Sequence, residues 1–338
     1  MPRRLAWPLG LALTGAALVP LPHLLSFSQQ EIAVFLLINV LLVTSYRLLT
    51  LTGEWSLGHV VIMGLGGYAS ALFAKLAGVP VPLAMLLGAC TSAAVAYVLS
   101  FPLFRMKGFY FLIGSFAAGE VIRLLWIKFR IFGGPKGLKL IPPFPDLGPI
   151  AFYDPTNYYY LCLVVVAASL AILYRIEHSR IGLTFHAVHW RDQLAESVGV
   201  DTRSYRTLAF VIASFFAGVS GALLAHYIGT VNPSRFDVAQ MVFVLIWVIV
   251  GGTATFFGPI VGVVTLTIVN EIVLRQLGTD ELRPLFYGGI LIAAMLFLPG
   301  GLESLGPKLT HLWHRQRRTA KPARNQRPAV KARSYEPS

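Results

Sequence analysis

Charge is scarce in this sequence of 338 residues: only 13% are Asp, Glu, Lys or Arg, against roughly a quarter in an average soluble domain. A chain so poor in charge, 56% hydrophobic and with a mean hydropathy of +0.67, reads as an integral membrane protein. Cysteine is scarce too. The two present, Cys90 and Cys162, lie inside apolar runs, support neither a disulfide framework nor a thiolate metal site, and read as small packing residues. No G-x-x-x-x-G-K-[ST] loop occurs, which excludes nucleotide binding in the usual phosphate-loop manner, and no H-E-x-x-H zinc motif occurs either. His186 and His189 lie three apart without a third ligand at a natural spacing, and read as exposed loop histidines. Gly218-Val219-Ser220-Gly221 falls one glycine short of a nucleophile elbow, and small residues there suit close helix packing better. No catalytic set, bound cofactor or metal is expected.

The net charge of +13 does not point to nucleic acid. Nine of the 28 Lys and Arg residues lie from Glu303 onward, opposed only by Glu303 and Glu336. That distribution fits a disordered, basic tail over 303–338 on anionic lipid, whereas a nucleic-acid groove needs a clustered folded patch with stacking aromatics.

What the chain has in quantity is apolar runs. The first, Leu5–Leu25, follows Arg3 and Arg4 with no small-residue cleavage site after it, and is expected to be a retained span. Further candidates are Ile32–Thr50, Ser56–Leu76, Val81–Phe104, Phe109–Ile127, Tyr158–Tyr174, Leu208–Ile228, Val238–Phe257, Ile260–Leu277 and Leu285–Leu298. The fold class is thus an all-α polytopic membrane protein with eight to ten spans, the full set giving ten. Placing both termini in the cytoplasm puts 19 of the 28 basic residues inside, so the positive-inside rule selects that orientation. The longest external loop, Phe129–Thr156, is then an irregular segment rich in Gly133, Gly134, Pro135, Pro142, Pro143 and Pro145.

One long polar stretch, Arg175–Arg206, interrupts the hydrophobic runs and becomes cytoplasmic. Its Leu183, Ala187, Trp190, Leu194 and Val198 recur at helical spacing, which predicts an amphipathic helix stopped by Gly199. Asp201 and Thr202 are positioned to cap the next helix. A short helix with one apolar stripe suits a groove on another protein, and equally suits a linker lying along lipid headgroups.

Charges inside the runs come in pairs. Glu120 with Arg123, and Glu271 with Arg275, fall on common helical faces and read as structural ion pairs, with Glu120 the one candidate for proton coupling. Glu54 and His59 are expected at the wet cytoplasmic boundary. Glycine crowds two places, Gly58, Gly64, Gly66 and Gly67, and then Gly251, Gly252 and Gly258-Pro259. Broken helices exposing half-helix termini to a substrate would explain both, as would close packing of small residues.

The motifs, in order, resemble a known family. Ser56-Leu57-Gly58-His59, Gly64-Leu65-Gly66-Gly67-Tyr68-Ala69, Gly108-Phe109-Tyr110-Phe111 running to Ala118-Gly119-Glu120, and Gly133-Gly134 with Gly137-Leu138 are similar to successive signatures of LivM-type permeases of branched-chain amino-acid ABC importers. Ser179-Arg180-Ile181-Gly182 with Ala195-Glu196-Ser197-Val198-Gly199-Val200, Gly251-Gly252-Thr253 through Gly258-Pro259 and Gly262, and Pro299-Gly300-Gly301-Leu302 continue the series, so that the resemblance covers about 32–302. It implies a multi-pass subunit of the bacterial inner membrane that works with a second homologous permease, two ATPase subunits using ATP, and a periplasmic or lipid-anchored solute-binding protein delivering an amino acid or small amide. The coupling loop is then carried by Ala187, Trp190, Gln193, Leu194, Ala195, Glu196 and Gly199. The substrate pathway is assigned to Gly64, Gly66, Gly67, Tyr68, Glu120, Gly251, Gly252 and Thr253. Gln193 and Leu194 depart from the Glu-Ala that usually opens the coupling motif, and Phe132 replaces a common Thr, which leaves urea and short amides as alternative solutes. An ion-coupled carrier would need no docking stripe, and a membrane-embedded enzyme would need a convergent reactive set that the sequence lacks.

Overall fold

The computed structural model describes residues 19–146, 151–271, 283–297 and 300–304. The first candidate span, Arg275 and the tail beyond Ser304 lie outside them for all or most of their length.

After a single turn, α1 (Leu21–Leu24), six helices are long and apolar enough to cross a membrane. They are α2 (Phe27–Thr50), α3 (His59–Leu76), α4 (Val81–Leu103), α5 (Phe109–Lys128), α6 (Pro155–Glu177) and α9 (Thr202–Ile228). The protein is therefore a multi-pass membrane protein. Three shorter apolar helices follow, α10 (Val238–Gly251), α11 (Gly258–Val269) and α12 (Arg283–Phe297). At 1.5 Å per residue, α10 rises only about 21 Å, less than the roughly 30 Å hydrocarbon core. It meets α11 at a break where Gly252 takes φ +105°, and the part of the expected 260–277 span beyond 271 lies outside the described residues. A glycine is required at that turn, because φ this positive resists any side chain.

Burial sorts the helices. In the apolar windows of α2, α3 and α9, 78%, 67% and 67% of residues are buried, against 39%, 22% and 28% in α4, α5 and α6, so the first three form the centre and the others face outward. Small residues let the centre close up. A Cβ at Gly66 would overlap the Gly218 backbone, and one at Gly221 would overlap the Met63 carbonyl, so α3 and α9 meet backbone to backbone. This decides between the two readings of the first glycine cluster: α3 runs unbroken through Gly64, Gly66 and Gly67, which serve close contact and not interruption.

Buried polar groups pin the same core. His226 has Nδ1 at 2.7 Å from the Pro142 carbonyl and Nε2 at 2.7 Å from Ser70 Oγ, an arrangement in which one ring nitrogen donates and the other accepts. Cys162 is buried as expected, whereas Cys90 is exposed on the outward helix α4 and fills no core space. The 129–146 segment is ordered by 3₁₀ turns and by a strand, β1 (Leu138–Lys139), paired antiparallel with β2 (Thr230–Val231). Lys75 at the end of α3 donates to the Lys139 carbonyl, so this segment covers the end of the bundle opposite the 178–201 helices.

Candidate functional site: the loop helices and their attachment

Between α6 and α9 the polar stretch forms two helices, α7 (Arg180–Trp190) and α8 (Asp192–Ser197). The single helix expected over 183–198 is broken at Arg191, whose φ −155° and ψ +93° are extended, and the chain restarts with Asp192 in the first turn. The C-terminal stop is as expected. Gly199 has φ +87°, Val200 N–H donates to the Ala195 carbonyl and Gly199 N–H to the Glu196 carbonyl, the two bonds of a Schellman close. Thr202 Oγ1 then donates to Glu196 at 2.7 Å, and Asp201 caps α9 by accepting from the Ser204 N–H at 3.2 Å. The junction from α8 into α9 is consequently short and fully bonded.

The two faces of these helices differ sharply. Gly182, Phe185, Val188 and Ala195 turn inward, Phe185 meeting Tyr205 of α9 edge to face at 6.3 Å. Leu183, Trp190, Leu194 and Val198 are 69%, 80%, 62% and 75% exposed, with Ala187 and Gln193 exposed among them. The apolar residues of the stripe read from the sequence therefore stay exposed on both sides of the break at Arg191, Trp190 meeting only the ring of its neighbour His189 at 6.0 Å. Ala195 belongs to the opposite, inward side.

Ion pairs fasten this unit to the bundle. Arg206 of α9 lies 2.6 Å from Asp192 and 3.3 Å from Glu54, while Lys107 reaches Asp192 at 3.3 Å. Glu54 is 2% exposed and His59, 3.0 Å from Ser45, is fully buried, so at the junction of α2 and α3 both are shielded from the water expected there. Desolvation raises the Glu54 carboxyl above its ordinary value, with Arg206 pulling it back in part and Asp192 adding to the rise. Burial likewise lowers the His186 imidazole, leaving it neutral at physiological pH. His186 is half-buried and His189 exposed, its ring against the Gly53 Cα.

A second joint lies at the start of α7. Arg47 holds Glu177 through Nε and Nη2 at 3.1 and 2.7 Å and gives Nη1 to the Thr253 carbonyl at 2.5 Å. The same turn is gripped from its other side by Glu303, whose carboxylate accepts from the Ala254 and Thr255 N–H groups and the Thr255 hydroxyl. The α10–α11 turn, the end of α6 and the end of α2 are thus one bonded cluster beneath α7. Sequence reading missed it, since nothing local marks Arg47 or Glu177; a single basic residue near the end of a largely apolar helix was the available hint.

The residues assigned to a substrate pathway are not brought together. Gly64 faces Trp126 and Phe236, Gly66 and Gly67 pack on α9, and Tyr68 stacks on Trp126 at 4.5 Å while donating to the Val231 carbonyl. Glu120 pairs with Arg123 at 2.5 and 2.9 Å on the outward helix α5, as the pairing rule expects. Gly251, Gly252 and Thr253 lie at the hairpin turn. Among the described residues no group of three or more His, Cys, Asp or Glu is placed to hold a metal.

Membrane-crossing helices packed through glycine, with a pair of loop helices bonded to them and exposed on their apolar side, define a helical multi-pass membrane protein. The particular family follows from comparison: residues 29–295 match the permease component of branched-chain amino acid transport systems, and the chain belongs to that family. It is 28% identical over 306 residues to the high-affinity branched-chain amino acid transport system permease protein LivM of Escherichia coli, covering 83% of this chain and 71% of the relative. The LivM of Salmonella typhimurium matches to the same extent. An autoinducer 2 import system permease protein, LsrC of Yersinia pseudotuberculosis, is 26% identical over 295 residues, covering 82% of this chain and 76% of LsrC. No solved structure matches.

Proposed function

We propose that this chain is the translocation subunit of an ATP-driven importer of branched-chain or other hydrophobic amino acids in the bacterial inner membrane. It works beside a second, homologous permease, draws on two ATPase subunits that bind and hydrolyse ATP, and receives solute from a periplasmic or lipid-anchored binding protein. The observation that carries this reading is the bare stripe of Leu183, Trp190, Leu194 and Val198 on helices whose other side is locked to the bundle. An apolar helix face held rigidly out of the membrane body suits the groove of a partner that moves it.

In this role the 178–201 segment lies in the cytoplasm and closure of the ATPases pushes α8 against the start of α9. The basic tail rests on anionic lipid of the same leaflet. The chain itself performs no catalysis.

The test is uptake. Cells lacking branched-chain amino-acid import are given the chain together with a second permease, ATPase subunits and a binding protein from the same organism, and radiolabelled leucine uptake is followed with and without cellular ATP. ATP-dependent uptake that vanishes when this chain alone is omitted supports the reading; uptake unchanged by its omission, or driven by an ion gradient without ATP, overturns it.

A further inference from the structure

Among the described residues, Leu140 is the one residue other than glycine with a positive φ, +56°, and its side chain is 86% exposed. The left-handed region is unfavourable for a leucine, and a side chain standing in solvent gives the interior no packing in exchange, so the chain by itself does not explain this conformation. Its neighbours hold it there. Leu138 pairs with Val231, the Lys139 carbonyl accepts from Lys75 Nζ at 2.6 Å, and Ile141, itself buried, donates its N–H to the Gly229 carbonyl at 3.0 Å just before Pro142 and Pro143. Leu140 is thus a fixed apolar knob. Its anchors are the last turn of α3 and the residue that closes α9, the two helices of the bundle's centre, so it stands over the middle of that end and inside the outward-facing α4, α5 and α6.

The segment that carries the knob is basic. Positions 124 to 145 hold Lys128, Arg130, Lys136 and Lys139, all exposed, and no Asp or Glu. None of the four forms an ion pair among the described residues. Three acids of the same end, Asp146, Asp154 and Asp237, instead accept the backbone N–H groups of Phe152, Thr156 and Gln240. With the 178–201 helices in the cytoplasm this end is external, where the positive-inside rule disfavours Lys and Arg. Unpaired cations around a fixed apolar knob suit a surface that presents carboxylates around a small apolar recess. Anionic headgroups would match the charge as well, but they lie around the rim of the bundle, whereas the knob stands over α3 and α9.

We propose that this face, with Leu140 as its apolar contact and Lys136 and Lys139 as its cations, docks an acidic surface of the external solute-binding protein. The β1 and β2 pairing and the two anchors already order the segment, so docking has little chain left to immobilise. The inference rests on the importer reading above and names the surface that its external partner uses.

The experiment places the complete membrane complex, this chain with its second permease and ATPase subunits, in phosphatidylcholine nanodiscs. Surface plasmon resonance then measures binding of the leucine-loaded solute-binding protein used in the uptake test. Leu140→Asp and Leu140→Gly each weaken binding about 10-fold or more, the loss of a central contact. Glycine adopts φ +56° freely, so Leu140→Gly keeps a parental or higher Tm and its effect is not one of misfolding. Lys136→Glu combined with Lys139→Glu slows association about 10-fold and removes most of its dependence on ionic strength. ATP hydrolysis measured without the binding protein stays parental in every variant. Parental affinity in both Leu140→Gly and the double charge reversal overturns the docking face, and leucine uptake that persists in those variants leaves the importer reading standing. Parental affinity in the variants, with a Tm that differs from the parent's only when phosphatidylglycerol replaces phosphatidylcholine, assigns the face to lipid headgroups and overturns the proposal. A parent complex that neither binds the solute-binding protein nor supports ATP-driven uptake overturns both readings.

Discussion

Arg47 and Glu177, 130 positions apart in the sequence, form a two-point ion pair whose side chains are 1% and 8% exposed. The pair joins the end of α2 to the end of α6, two positions before Ser179 launches α7, and Gly182 follows so tightly that a Cβ there would overlap the Glu177 carbonyl. Arg47 also donates to the Thr253 carbonyl, so the ends of α2 and α6 and the α10–α11 turn are bonded to one another.

The pair sets the first prediction. Removing one member strands a buried charge, and Arg47→Met or Glu177→Leu is expected to cost about 3 to 5 kcal/mol, while the double replacement costs less than the sum. Thermal unfolding of the four purified proteins in one detergent measures the cycle. Additive losses would show that the two residues do not act as a unit.

The second prediction concerns pH. Since desolvation raises the Glu54 carboxyl, the folded protein binds that proton more tightly than the unfolded chain does. Stability contributed by Glu54 is therefore greatest at low pH and is lost as pH rises from the unfolded value, about 4.3, through the raised folded one. Glu54→Gln keeps the size and removes the charge, leaving Arg206 with Asp192. The Tm of the variant minus that of the parent should widen in the variant's favour across that window and then level off. A difference that does not move with pH would exclude a raised pKa at this site.

Local rules read from the sequence located most elements. Gly199 stops α8 and Asp201 caps α9 because these depend on a residue and its next few neighbours. The stripe of Leu183, Trp190, Leu194 and Val198 was legible for the same reason, as was the Glu120–Arg123 pair. What escaped depends on tertiary distance. Glu54 reads as water-accessible from its neighbours alone, whereas Arg206, far along the chain, faces and covers it in the fold. Gly66 carries no sign of whether it breaks a helix or receives one; only the arrival of Gly218 decides, and it decides for contact.

That close contact between α3 and α9 gives the third prediction. Gly221→Ala and Gly66→Ala put a methyl group into backbone that has no room to retreat, so each should lower Tm and the amount of folded permease in the membrane. Overpacking of this kind costs about 1 to 3 kcal/mol. Gly289→Ala in α12, where nothing lies within 4 Å of the added Cβ, is the matched control and should leave both unchanged. Equal behaviour of all three variants would mean that α3 and α9 do not approach as described.

The last prediction tests the loop helices as the element that transmits force. Leu194 is 62% exposed on α8, so Leu194→Asp disturbs no packing within the chain and is expected to leave membrane levels and Tm at parental values. In the groove of an ATPase subunit the same carboxylate would be desolvated without a partner, so ATP-driven uptake and solute-stimulated ATP hydrolysis by the complete transporter should be abolished. Gly199→Val acts differently. Nothing lies within 4 Å of a Cβ at 199, so the variant meets no clash, but φ +87° is forced on a β-branched residue at a local cost of about 1 to 3 kcal/mol. The Schellman close from Ala195 to Val200 loosens, and the push from α8 is no longer passed to α9. Solute-stimulated ATP hydrolysis should then fall together with uptake, although the docking stripe is intact and the subunits still co-purify. Loss of co-purification in Leu194→Asp and its retention in Gly199→Val would separate docking from transmission. Parental uptake in both variants would assign the stripe to the lipid headgroups and remove the loop helices from the coupling path.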